Sequence, residues 1–100
     1  MAKYRVYVTP DALEDVKSLP GHIRQRVRGS IRELADQPRP PQSKQLYFPD
    51  SERQLFRLRL KNWRIIYAIT EPEQMVDVLT VKRRPPYDYG DLAKLLEEIK

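Results

Sequence analysis

Leu55-Phe56-Arg57-Leu58-Arg59-Leu60-Lys61-Asn62-Trp63-Arg64-Ile65-Ile66-Tyr67-Ala68-Ile69-Thr70 is the stretch whose reading decides the fold. Its first half alternates: Phe56, Leu58 and Leu60 fall on one side of an extended chain, Arg57 and Arg59 on the other. Lys61-Asn62 then supplies a tight turn, with Asn able to take the left-handed conformation that hairpin turns need. The second half is apolar on both faces in part, as a strand inside a sheet should be. A two-residue turn pairs Leu60 with Trp63, Arg59 with Arg64 and Leu58 with Ile65. A four-residue loop keeps that register and a three-residue loop shifts it. The register predicts Arg57, Arg59 and Arg64 together on one face. Phe56, Leu58, Leu60, Trp63 and Ile65 take the other and cover the helices.

Working outward, residues 75–81 read as a third strand after a turn at residues 71–74, and Pro85-Pro86 stops it. Leu92, Leu95, Leu96 and Ile99 then mark a short amphipathic C-terminal helix. Upstream, residues 38–52 read as a long loop opened by Pro38, Pro40 and Pro41, of a length that is often functional. Before it, Ile23, Val27, Ile31 and Leu34 recur at helical spacing over residues 21–36. An earlier helix starts at Thr9-Pro10, where Thr9 caps and Pro10 suits the first helical position. Leu13 and Val16 supply its apolar side, and Pro20-Gly21 ends it. Residues 3–9 form a first strand. The order β-α-α-β-β-β-α predicts a single α+β domain over residues 1–100. Its sheet is expected to be four-stranded and antiparallel-rich, with the helical hairpin packed on one face.

Composition narrows the function. One hundred residues suit one domain with one modest core. With no cysteine, disulfides and thiolate metal sites are excluded. The chain starts without a signal-like apolar run, and its longest apolar stretch, residues 65–69, is too short to span a bilayer. A soluble cytoplasmic protein is the expectation. The net charge is +5, and its distribution is informative. Arg53, Arg57, Arg59, Lys61 and Arg64 fall within twelve residues that hold no acid. Lys82-Arg83-Arg84 adds a second cluster. The acids lie elsewhere, which favours a polarised surface and a polyanionic partner.

Like charges placed opposite one another on a sheet cost stability. A phosphate held between arginines reverses the sign, because guanidinium donates forked hydrogen bonds to phosphate oxygens. If the last strand neighbours the hairpin, its end delivers Arg83 or Arg84 to the same patch. Tyr87 or Tyr89 would then stand at the edge, either stacking on a base or stapling the C-terminal helix. Other chemistry finds little support. His22 is the single histidine and sits at a helix start. Glu52 reads as a solvated loop acid, the serines have no His–Asp partner set, and no glycine-rich phosphate loop exists. A transition-metal site is not expected.

Taken together, several segments are similar to those of the RelE/ParE toxin superfamily. They are Tyr4-Arg5-Val6 with Thr9-Pro10, Leu19-Pro20, Leu34-Ala35-Asp36-Gln37-Pro38-Arg39-Pro40, Lys44-Gln45-Leu46, Arg57-Leu58-Arg59, Trp63-Arg64-Ile65-Ile66-Tyr67 and Val81-Lys82-Arg83-Arg84. The resemblance implies a toxin with a cognate antitoxin as partner and no small-molecule cofactor. Its RelE-like branch implies a ribosome-associated endoribonuclease in which the 2′-OH of mRNA attacks the adjacent phosphate. By that resemblance, Arg57 and Arg59 orient the phosphate, while Arg64 and Arg84 stabilise the pentacoordinate state. Arg83 replaces Arg84 if the alignment slips by one. Tyr87 or Tyr89 orients a base, and Lys61 and Lys82 complete the RNA-binding surface. Where branch members carry lysines, Arg57 and Arg59 stand here, and arginine does not deprotonate near neutrality. The ParE-like branch implies instead a DNA gyrase poison without nuclease activity. A third reading is a non-catalytic RNA-binding module.

Overall fold

The computed structural model describes residues 3–46 and 53–83. In chain order these form β1 (Arg5–Val8), α1 (Pro10–Lys17), α2 (Gly21–Glu33), β2 (Ser43–Leu46), β3 (Gln54–Leu60), β4 (Trp63–Thr70) and β5 (Met75–Arg83). The strands make one five-stranded sheet in the order β1-β5-β4-β3-β2. β1 runs parallel to β5, and the remaining neighbours are antiparallel. The expected four strands therefore become five. The additional strand, β2, lies inside residues 38–52, which the sequence reads as loop. Ser43-Lys44-Gln45-Leu46 lacks an apolar alternation because it is an edge strand. It is held by its ladder to β3 rather than by burial. The C-terminal helix expected around Leu92–Ile99 lies outside the described residues.

Local chemistry explains the helices. Thr9 Oγ1 accepts the Ala12 N–H at 3.3 Å, and Pro10 opens α1 with Asp11 in its first turn. α2 ends at Glu33, short of the expected residue 36. There its last turn tightens through i→i−3 bonds from Leu34, Ala35 and Asp36. The Ala35 carbonyl then accepts from both Lys3 and Tyr4, which ties the entry of β1 to the exit of α2.

Both helices lie against one face of the sheet. Ala12, Val16, Leu19, Val27, Ile31 and Leu34 meet Phe56, Leu58, Ile65, Tyr67, Ile69, Val76, Val78 and Val81 in a single core. Leu60, Trp63 and Ile23 pack at its margin. Leu13, expected on the apolar side of α1, is 44% exposed. Tyr67 stacks on Phe56 and donates its hydroxyl to the Pro38 carbonyl at 2.6 Å. Burial pushes its phenol up to about 12. The opposite face is not all solvent: Leu55, Ile66, Ala68 and Asp77 are buried there. Burial raises the Asp77 carboxyl, and the positive field of Arg53 opposes that shift.

Two details of β5 position the site. A β-bulge lies between Ile66 and Tyr67, so Ile66 faces Thr80 while Tyr67 faces Val78. Leu79 is the extra residue, and it reverses which side chains point inward beyond it. β1 covers only Met75–Val78 of the strand. Past that point α1 closes the free edge. Thr9 Oγ1 donates to the Leu79 carbonyl at 3.3 Å. The Asp15 carboxylate accepts from Thr80 Oγ1 at 2.7 Å and from the Val81 N–H at 2.9 Å.

Candidate nucleic-acid interface

The hairpin register is the one read from the sequence: Leu60 faces Trp63, Arg59 faces Arg64 and Leu58 faces Ile65. Arg57, Arg59 and Arg64 therefore share the face opposite the helices. The turn differs in one respect. Lys61, not Asn62, takes the left-handed conformation, with φ of 53°. For a residue with a Cβ that geometry costs about 1–2 kcal/mol. Arg64 supplies compensation. Its Nη1 donates to the carbonyls of Lys61 and Trp63, each at 2.9 Å, and the residue is only 2% exposed. Arg64 thus builds the turn as well as contributing charge to the face. Arg57 is half-buried, whereas Arg59 stands in solvent.

The bulge decides what β5 adds. Lys82 pairs with Arg64, while Arg83 pairs with Trp63. Simple alternation from Val76 and Val78 would have put Val81 across from Arg64 and Arg83 on the same face; the extra residue turns both to the other face and sets Lys82 across from Arg64. Lys82 is also drawn toward α1, where its Nζ lies 3.4 Å from Asp15 Oδ1. Arg83 and Lys61 are both exposed. Arg84, Tyr87, Tyr89 and Glu52 lie outside the described residues.

One cation on this face escaped the sequence reading. Lys44 of β2 sits directly across from Arg57, exposed and on the same side of the sheet. Finding it required knowing that residues 43–46 pair with β3. Pro40-Pro41 just before them was the nearest available signal, and it marks a loop end without marking a strand.

A second basic surface lies across the molecule. β1, α1 and α2 enclose a groove of about 510 Å³ lined by Val6, Val8, Leu13, Val16 and Ile31, with Lys17, Arg24, Arg28 and Arg32 on its rim. Arg24, Arg28 and Arg32 follow one another at four-residue intervals, so they form a single ridge along α2. Among the described residues no acid lines the groove. At the β4–β5 turn the chemistry is a clasp instead. Glu71 accepts from the Tyr4 hydroxyl at 2.6 Å and from Arg39 Nη2 at 2.7 Å. Those two donors hold its carboxyl below the usual range. Among the described residues, no group of three or more His, Cys, Asp or Glu is placed to hold a metal ion. No helix among them is long and apolar enough to cross a membrane.

Solved structures share this architecture. The archaeal RelE–RelB complex from Pyrococcus horikoshii OT3 aligns with a TM-score of 0.75 at 24% identity, covering 85% of this chain and 99% of that one. The toxin–antitoxin complex RelBE2 from Mycobacterium tuberculosis gives 0.69 at 26% identity, covering 82% and 99%. The isolated RelE toxin of E. coli gives 0.68 at 18% identity, covering 97% and 99%. No curated protein sequence matches the chain. Residues 6–85 match the family described as "ParE toxin of type II toxin-antitoxin system, parDE". With four-fifths of its length matched and a RelE-like fold, the chain belongs to this toxin family, within the RelE/ParE superfamily.

Proposed function

We propose that the protein is a RelE-like toxin that cleaves messenger RNA in the ribosome without a metal. The observation that carries this reading is the cross-strand pair Arg59 and Arg64, with Arg57 on the same face. Arginines on rigid neighbouring strands present fixed donors where a phosphodiester gains charge. The 2′-oxygen attacks phosphorus and the P–O5′ bond breaks. A 2′,3′-cyclic phosphate and a 5′-hydroxyl remain, and the proton lost by the 2′-OH reaches O5′ through solvent. Arg57 and Arg59 orient the scissile phosphate and raise the acidity of the 2′-OH. Arg64 and Arg84 stabilise the pentacoordinate state. Tyr87 or Tyr89 stacks on or orients a base, and Lys61 and Lys82 widen the RNA contact, while Arg83 sits on the Trp63 side of the sheet. Primer extension on a translated message, after induction of the toxin alone, tests this. Discrete cuts in ribosome-bound mRNA are expected.

The partner is a cognate antitoxin, as in the complexes from Pyrococcus and Mycobacterium. Its seat is the groove between β1, α1 and α2. The apolar floor and the exposed Leu13 suit the hydrophobic side of an amphipathic helix. The Arg24, Arg28 and Arg32 ridge calls for acids at matching intervals on that helix.

A second reading is a ParE-like gyrase poison without nuclease activity. It is favoured by the family that the sequence matches. Intact messages together with accumulating gyrase–DNA breaks are its signature in the same induction experiment.

A further inference from the structure

The edge strand β2 changes the shape of the basic face. Lys44 lies across from Arg57 and diagonal to Arg59, which is two residues along β3. Diagonal neighbours on paired strands lie about 7–8 Å apart, within reach of long side chains. Lys44 and Arg59 are both exposed. Among the described residues neither side chain makes a hydrogen bond or ion pair within the chain. Lys82 at the other end of the face is engaged by Asp15, and Arg64 by its own turn. The cations therefore form a band crossing β5, β4, β3 and β2 in that order. Strands lie about 4.8 Å apart, so the band spans about 14 Å. That is wider than one phosphate, whose charge-assisted bonds are only about 2.7–2.9 Å long.

We infer that Lys44 holds a second backbone phosphate, next to the scissile one, so that single-stranded RNA crosses the strands toward the β2 edge. The inference rests on the ribonuclease reading and adds a substrate contact to it. Lys44 is a positioning residue here. A mobile ammonium grips a flanking phosphate as a point charge, and the fixed arginines work on the reacting one. The alternative is that Lys44 only protects an edge strand from pairing with another chain, a common use of lysine there.

The test measures binding of a single-stranded RNA 12-mer across a salt series, for the wild type, Lys44→Ala and Lys44→Arg. A 2′-deoxy substitution at each position prevents cleavage. Each phosphate contact on a single strand contributes about −0.7 to the slope of log K against log salt. Lys44→Ala is expected to reduce the slope by about that amount and weaken binding uniformly across sequences. Lys44→Arg should restore both. On ribosome-bound mRNA, Lys44→Ala should raise KM while the single-turnover rate at saturation stays within about twofold of wild type. A wild-type slope and affinity in Lys44→Ala would overturn the inference alone. So would a slowed chemical step with unchanged binding, or aggregation with RNA binding intact. Absence of salt-dependent RNA binding in the wild type, with cuts in ribosome-bound mRNA intact, would overturn this inference alone; absence of both would remove the ribonuclease reading with it.

Discussion

Two surfaces of this molecule are basic, and they differ in what lies beneath the charge. On the sheet face, Arg57, Arg59 and Arg64 rise from paired strands whose register fixes their spacing. In the groove, Lys17, Arg24, Arg28 and Arg32 rim a floor of Val6, Val8, Val16 and Ile31, with Leu13 exposed beside them. Positive charge alone does not separate nucleic acid from protein as a partner. A phosphate needs fixed donors and no apolar contact, whereas a protein helix needs an apolar seat first and charge second. On that ground the sheet face suits RNA and the groove suits the antitoxin.

The comparison can be broken most sharply at Arg59. Its side chain has no structural partner among the described residues, so Arg59→Ala should lower cleavage by about 10²–10³ while circular dichroism and Tm stay at wild type. Arg64 behaves differently because it carries the Lys61 turn. Arg64→Ala should cost about 1.5–3 kcal/mol of stability, read as a shifted urea midpoint, so its loss of activity is not a clean measure of chemistry. In the groove, the double reversal Arg24→Glu with Arg28→Glu should weaken antitoxin binding by about tenfold to a hundredfold. Titration calorimetry reads that loss, and cleavage should stay near wild type. A double variant that cleaves poorly but binds antitoxin normally would exchange the two assignments. The smallest effect is expected for Asp15→Asn. It keeps an oxygen for the Val81 N–H and releases Lys82. A loss of about 0.5–1 kcal/mol in stability is expected, with RNA affinity slightly raised.

Much of this was legible in the sequence, for identifiable reasons. Alternation in residues 55–60 and the two-residue turn set the register that pairs Arg59 with Arg64, and Thr9-Pro10 announced α1. β2 was not legible, because an edge strand that buries little leaves no apolar pattern. Lys44 was hidden with it. The bulge at Leu79 was equally silent, since an unbroken apolar run looks the same with or without one extra residue. The sequence brought Arg83 or Arg84 to the patch from the strand end, and nothing in it marked Lys82 as the residue that pairs with Arg64. The groove was missed for another reason. Lys17, Arg24, Arg28 and Arg32 come from two helices, and only their packing against β1 creates a floor between them.

The central claim is that the Arg59–Arg64 face is built to act on an RNA phosphodiester. End-group analysis of ribosome-bound mRNA exposed to purified wild type and Arg59→Ala tests it most directly. The account predicts 2′,3′-cyclic phosphate and 5′-hydroxyl ends with the wild type, and about a hundredfold fewer with Arg59→Ala. Equal yields from the two proteins, or intact mRNA from an active toxin, would contradict it.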